Sequence, residues 1–127
     1  MSDLVDVCAL TDLEPERGVG ALLGGHQVAV FRLADDTVRA VQQLDPYSGA
    51  NVIARGLVGT TRVAQDDGPE RDVATVTTPM LKQVWNLETG AVIDSGGKPK
   101  KPLAVFRAEV RDGRVLVADA PEAPVEA

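Results

Sequence analysis

The chain has little of what builds redox and nucleophilic sites: one cysteine, Cys8, and one histidine, His26, in 127 residues. A lone cysteine excludes an intramolecular disulfide and a thiolate-rich metal site within the chain. Flanked by Val7 and Ala9, it reads as a buried structural thiol. His26 follows Gly24-Gly25 and is expected as an exposed turn residue, with no serine or cysteine motif beside it to make a catalytic pair. Gly-x-Ser-x-Gly and P-loop strings are missing, and Gly18-Val19-Gly20 lacks the third glycine and the βαβ context of a dinucleotide fingerprint. Aromatic residues make up only 3% of the chain, so Val, Leu, Ala and Ile must supply the core. That β-branched bias favours strands.

Other absences narrow the setting. No apolar run approaches the roughly 18 to 20 residues of a membrane span. Met1-Ser2-Asp3-Leu4 lacks the basic-then-apolar order of a secretory signal, and a cytoplasmic protein is expected. A basic excess is missing too: 13 Lys and Arg stand against 19 Asp and Glu, a net charge of −6. Binding to a nucleic-acid backbone needs a basic face to displace counterions, so that partner class is not expected.

What is present is a succession of short strand signals. Val5–Ala9 reads as an opening strand, and Thr11-x-x-Glu14 before Pro15 has the form of a capping box on one helical turn. Gly24-Gly25 predicts a hairpin between 20–23 and 27–32, and Asp35-Asp36 turns the chain into 37–42, giving a three-strand meander. From Leu44 to Gly59 the alternation breaks down, the pattern of an ordered functional loop. Strands at 58–63 and 72–77 flank an expected exposed tip at 64–71, where Asp66, Asp67 and Glu70 read as a solvated turn and not as an acid/base pair. A short strand at 83–86, a turn at 88–90 and a polar loop at 94–102 follow; the loop holds Lys98, Lys100 and Lys101, a basic patch that reads as a solvated loop or, on an acidic protein, as a patch that steers docking to an acidic partner surface. Leu103–Val110 alternates as one strand, with Phe106, Ala108 and Val110 on one face, and Asp112-Gly113 turns it into 114–117. The expectation is one all-β domain over 1–118, a sandwich or barrel with little helix and a single compact core, and a disordered tail over 119–127.

Two loops are more specific. Asp45-Pro46-Tyr47-Ser48-Gly49-Ala50, and Thr78-Pro79-Met80-Leu81-Lys82 running into Trp85-Asn86-Leu87-Glu88-Thr89-Gly90, resemble the two converging cluster-binding loops of a Rieske domain with every ligand replaced. Cys-x-His and Cys-x-x-His would hold the two irons. The matching positions are Asp45, Tyr47, Thr78 and Leu81, and Tyr47, Met80 and Leu81 are expected to fill the cluster's space. With Ala29-Val30-Phe31-Arg32 and Arg55-Gly56-Leu57-Val58-Gly59, these strings are similar to the small subunit of assimilatory NAD(P)H-dependent nitrite reductase.

That resemblance implies a Rieske-like antiparallel fold with no cofactor of its own. It implies a large-subunit partner that holds FAD, an iron–sulfur cluster and sirohaem and reduces nitrite to ammonium. The chain would be a non-catalytic accessory subunit. Tyr47, Ser48, Arg55, Met80, Lys82 and Trp85, on or beside the two converging loops, are expected as the partner-binding set, with Trp85 reading equally as core. The alternative is a free-standing Rieske-like adaptor or regulatory module. Likeness of fold alone does not separate the two.

Overall fold

Short β-branched segments punctuated by Gly and Asp turns fold into antiparallel sheets in the computed structural model, which describes residues 3–65, 68–78 and 82–122. Among the described residues there are eleven strands and two short 3₁₀ turns, but no α-helix. None of the described helices is long and apolar enough to cross a membrane.

Strands β1 (Leu4–Ala9), β2 (Arg17–Leu23), β3 (His26–Arg32) and β4 (Val38–Gln42) are followed by the long hairpin β5 (Leu57–Gln65) and β6 (Gly68–Thr77). Then come β7 (Val84–Asn86), β8 (Val92–Asp94), β9 (Val105–Phe106), β10 (Ala108–Arg111) and β11 (Arg114–Ala118). They make three sheets, ordered β1-β11-β10, β2-β3-β4-β9 and β5-β6-β7-β8.

The β2-β3-β4-β9 sheet carries a hydrophobic cluster on each face, where the sequence suggested one core. Val28, Ala29, Val30 and Phe31 of β3 are all 0% exposed. Alternate side chains of a strand point to opposite faces, so Val28 and Val30 join Val38, Phe106, Val115 and Val117 on one side. Ala29 and Phe31 join Ile53, Val76, Trp85 and Leu87 on the other. Full burial of such a side chain is worth about 1.5–3 kcal/mol. The loops that resemble cluster-binding loops stand over the second cluster, to which Ile53, Trp85 and Leu87 belong.

Several expectations shift. The first 3₁₀ turn spans Leu10–Asp12, and the carboxylate of Asp12 accepts the N–H of Ala9 at 3.1 Å, so the back-bonding residue is Asp12 and not Glu14. The β5–β6 ladder runs on to Gln65↔Gly68, past the expected ends of both strands; Asp66 and Asp67 lie outside the described residues. β8 was not anticipated, and pairs Val92 with Trp85. The alternating stretch 103–110 is two strands: β9 pairs with β4, and after Arg107 β10 pairs with β11. The chain thereby changes sheets, and Val110 ends 37% exposed where an inward position was expected.

Cys8 is half-buried against the first cluster, and burial, reinforced by Asp12 and Asp6, pushes its thiol pKa up. His26 is exposed, with its ring edge-on to Phe106 at 5.6 Å. Of the expected tail, residues 119–122 are described and attached: Asp119 N–H donates to the Asp3 carbonyl and Glu122 N–H to that of Val105. Residues 123–127 lie outside the described set.

One turn fastens the third sheet to the middle one. Asn86 Oδ1 accepts the N–H groups of Glu88 and Thr89, and the Gly90 carbonyl accepts the Leu103 N–H at 2.9 Å. Gly90 has φ of 77°, and a Cβ there would collide with the Leu103 carbonyl oxygen. Gly90→Ala is therefore expected to cost about 2–3 kcal/mol, from backbone strain plus the displaced carbonyl. Thermal unfolding checks this; an unchanged Tm would refute it.

Candidate partner-docking site

The first loop is organised by a buried carboxylate. Asp45 is 0% exposed, and its Oδ1 accepts the N–H of Tyr47 at 2.8 Å and, more weakly, that of Ser48 at 3.4 Å. This is an Asx-turn, in which a short acidic side chain stands in for a backbone acceptor. The backbone closes around it: Asp45 N–H donates to Ala50 O and Gly49 N–H to Asp45 O, each at 2.8 Å. Ser48 Oγ accepts the Ala50 N–H at 3.3 Å. Below, Gln43 Oε1 takes the Ala54 N–H at 2.7 Å, anchoring the 3₁₀ turn Ile53–Arg55. Asp45 Oδ2 is buried without a hydrogen-bond partner among the described residues, and such an atom costs about 1–3 kcal/mol.

The second loop closes on Thr78 and Gln83, both buried. Thr78 N–H donates to Gln83 O at 2.9 Å, Gln83 N–H returns to Thr78 Oγ1 at 3.2 Å, and Gln83 Nε2 reaches Ser95 O at 3.4 Å. Lys82 is exposed, with a left-handed φ of 59°. Pro79, Met80 and Leu81 lie outside the described residues, so the expected packing of Met80 and Leu81 into the cluster's space is not described.

A third loop joins these two. The Tyr47 hydroxyl donates to Pro99 O at 2.7 Å and accepts the Lys101 N–H at 3.0 Å. Trp85 Nε1 donates to Lys101 O at 2.9 Å from beneath. The Tyr47 and Trp85 rings lie 5.8 Å apart at 39°, and the Lys101 ammonium sits 5.6 Å from the Tyr47 ring centroid and 3.4 Å from Pro46 O. Sequence reasoning treated 94–102 as a separate solvated loop and missed Pro99 and Lys101 as partners of Tyr47. The available signal was that the chain's one tyrosine, if half-buried, needs an acceptor for its hydroxyl.

Of the partner-binding set, Tyr47 is half-buried in this junction, while Ser48, Arg55 and Lys82 are exposed. Arg55 stands apart, lining an open cleft of about 610 Å³ with Pro15, Arg17 and Leu57. Leu57 there is 75% exposed. Trp85 is corrected: it is 0% exposed and its indole N–H is taken, so it is core that supports the loops from below and not contact surface. Met80 lies outside the described residues.

These donors do not fit a two-iron cluster. Asp45 Oδ1, Tyr47 OH and Thr78 Oγ1 are each engaged in holding a loop, and the fourth position is Leu81, which has no donor atom. Cys8, the one thiol, lies in β1. Among the described residues no group of His, Cys, Asp and Glu is arranged to hold a metal ion.

Comparison with known proteins identifies the domain. Residues 3–118 match the family described as Rieske-like [2Fe-2S] domain. The NADH nitrite reductase small subunit of Escherichia coli K12 is 35% identical over 116 residues, covering 91% of this chain and 96% of that one. A crystal structure assigned to an NADH-dependent nitrite reductase small subunit from Mycobacterium tuberculosis superposes with a TM-score of 0.78 at 38% identity, covering 94% of this chain and 97% of the other. The NAD(P)H nitrite reductase large subunit of Klebsiella oxytoca is 34% identical over 113 residues, which are 89% of this chain and 10% of that polypeptide.

If the Tyr47 hydroxyl is what holds the third loop, Tyr47→Phe loses both its hydrogen bonds and about 1–2 kcal/mol of stability. Amide exchange at Lys101 should accelerate while exchange in β3 is unchanged. Unaltered protection at Lys101 would show that the loop is held by other contacts.

Proposed function

The chain belongs to the nitrite reductase small-subunit family of Rieske-like domains, and from that premise we propose that it is the accessory small subunit of an assimilatory NAD(P)H-dependent nitrite reductase. Its role is to support the reduction of nitrite to ammonium by a large subunit that holds FAD, an iron–sulfur cluster and sirohaem. No step of that reaction is assigned to a residue of this chain. The observation that carries the reading is the whole-domain likeness to small subunits combined with loops in which Asp45 Oδ1, Tyr47 OH and Thr78 Oγ1 are engaged by backbone groups.

The Klebsiella oxytoca polypeptide supports a lasting association, because a domain like this one lies within a chain named as the large subunit. A separate chain of the same kind would meet that partner through a surface. That surface is its loop end, with Tyr47, Ser48, Arg55 and Lys82 facing the large subunit and Trp85 stiffening the loops behind them; Met80, expected in the same set, lies outside the described residues. An arginine at the edge of an apolar patch such as Leu57 is a frequent interface anchor. The complex would work in the cytoplasm, where NADH and NADPH are made.

Two measurements test this. Nitrite consumption with NADH, by the cognate large subunit expressed with and without this chain, should rise when the two copurify; no complex and no change would leave the adaptor reading. Arg55→Glu with Lys82→Glu should weaken copurification at least tenfold, about 1.4 kcal/mol. Unchanged recovery would remove these residues from the contact face.

A further inference from the structure

We propose that the lysines of the second and third loops, Lys82, Lys98, Lys100 and Lys101, form a preorganised positive pole that docks on a carboxylate-rich surface of the nitrite reductase large subunit. This rests on the small-subunit reading above and names the partner's chemistry. The first observation is the charge distribution. Segments 43–56, 78–83 and 94–102 carry five of the chain's 13 basic residues and two of its 19 acidic ones. One of those two, Asp45, is buried. The rest of the chain carries eight basic residues and 17 acidic ones, so the loop segments and the remainder are opposite in net charge.

The second observation is that the three segments are one body. Tyr47 OH ties the first loop to Pro99 and Lys101, Gln83 Nε2 ties the second to Ser95, and Trp85 Nε1 ties the core to Lys101. Lys98, Lys100 and Lys101 are exposed on a segment held at both Pro99 and Lys101 and stiffened by Pro99 and Pro102. A lysine on a free loop loses backbone freedom when it binds; these have lost much of theirs on folding. The Lys101 ammonium sits over the Tyr47 ring and near Pro46 O, while Lys98, Lys100 and Lys82 are exposed and make no such contact among the described residues.

An acidic body with a basic end orients itself in the field of an acidic patch before contact, and repels it in other orientations. The occupant that follows is a protein surface of Asp and Glu. Nucleic acid would be opposed by the net charge of −6.

The test uses the intact chain and the purified cognate large subunit, with the dissociation constant measured between about 20 and 300 mM salt, where screening of exposed charges changes most. For the unaltered chain, affinity should fall steeply with salt. Lys98→Glu with Lys100→Glu, which spares Lys101 and the Tyr47 contacts, should raise Kd at least tenfold at low salt and flatten the salt dependence. Arg111→Glu, in β10 of the other outer sheet, should leave both unchanged. Circular dichroism and Tm confirm that the variants fold. If the unaltered chain binds and the lysine variant binds equally well with the same salt dependence, the inference fails and the small-subunit reading stands. If the unaltered chain does not bind at all, that reading fails and takes the inference with it.

Discussion

The two-sided burial of β3 is the constraint on which the other elements depend. With Val28, Ala29, Val30 and Phe31 all shielded, the middle sheet needs a layer on each side. The β1-β11-β10 sheet supplies one layer, through Val115 and Val117. On the other side the cover is composite: Val76, Trp85 and Leu87 from the third sheet and its turn, and Ile53 from the 3₁₀ turn after the first loop. The loops thus stand where they do because residues at their bases are core. This also accounts for the switch at Arg107. One run of chain edges the middle sheet as β9 and then joins the outer sheet as β10, so a single segment links the two layers.

Within that frame the loop end is crosslinked by hydrogen bonds. A cluster held by four ligands would clamp two loops through metal bonds, each far stronger than a hydrogen bond. Here the clamp is distributed: the Asp45 Asx-turn, the Thr78–Gln83 closure and the shared hydroxyl of Tyr47. Each bond is worth about 1 kcal/mol net, so several are needed where one cluster would serve. Recruitment of a third loop is the consequence. Tyr47 is too long to bond within its own loop and reaches Pro99 and Lys101 instead, and Trp85 meets the same carbonyl segment from the core side.

Function follows from what this clamp presents. The polar atoms of Asp45, Tyr47 and Thr78 are engaged by backbone groups, while Arg55, Lys82, Lys98 and Lys100 are exposed. A domain of this kind contributes shape and charge to an assembly, and its effect on catalysis must pass through contact with the protein that holds the reactive groups. The acidic body and basic loop end make that contact directional.

The strand sequence was legible because it is local. Gly24-Gly25, Asp35-Asp36 and Asp112-Gly113 each specify a tight turn, and alternating β-branched residues mark the strands between. The two loop strings were legible as well, since a Rieske-like scaffold places Pro and Gly at fixed offsets from its ligand positions, and absent thiols and imidazoles can be read directly. Local pattern could not decide which sheet each strand joins. Leu103–Val110 alternates without interruption, yet pairing with β4 and then β11 divides it, because partners distant in sequence compete for its hydrogen bonds. Nor could it decide that Trp85 is core, that Asp12 caps the first turn in place of Glu14, or that Tyr47 bonds across more than fifty residues to Pro99. The sequence by itself determined the class of fold and the turn positions, both set by residue type and near-neighbour spacing. Only the tertiary structure decided which residues are surface and which loops act together, because burial and long-range hydrogen bonds exist only once the sheets have packed.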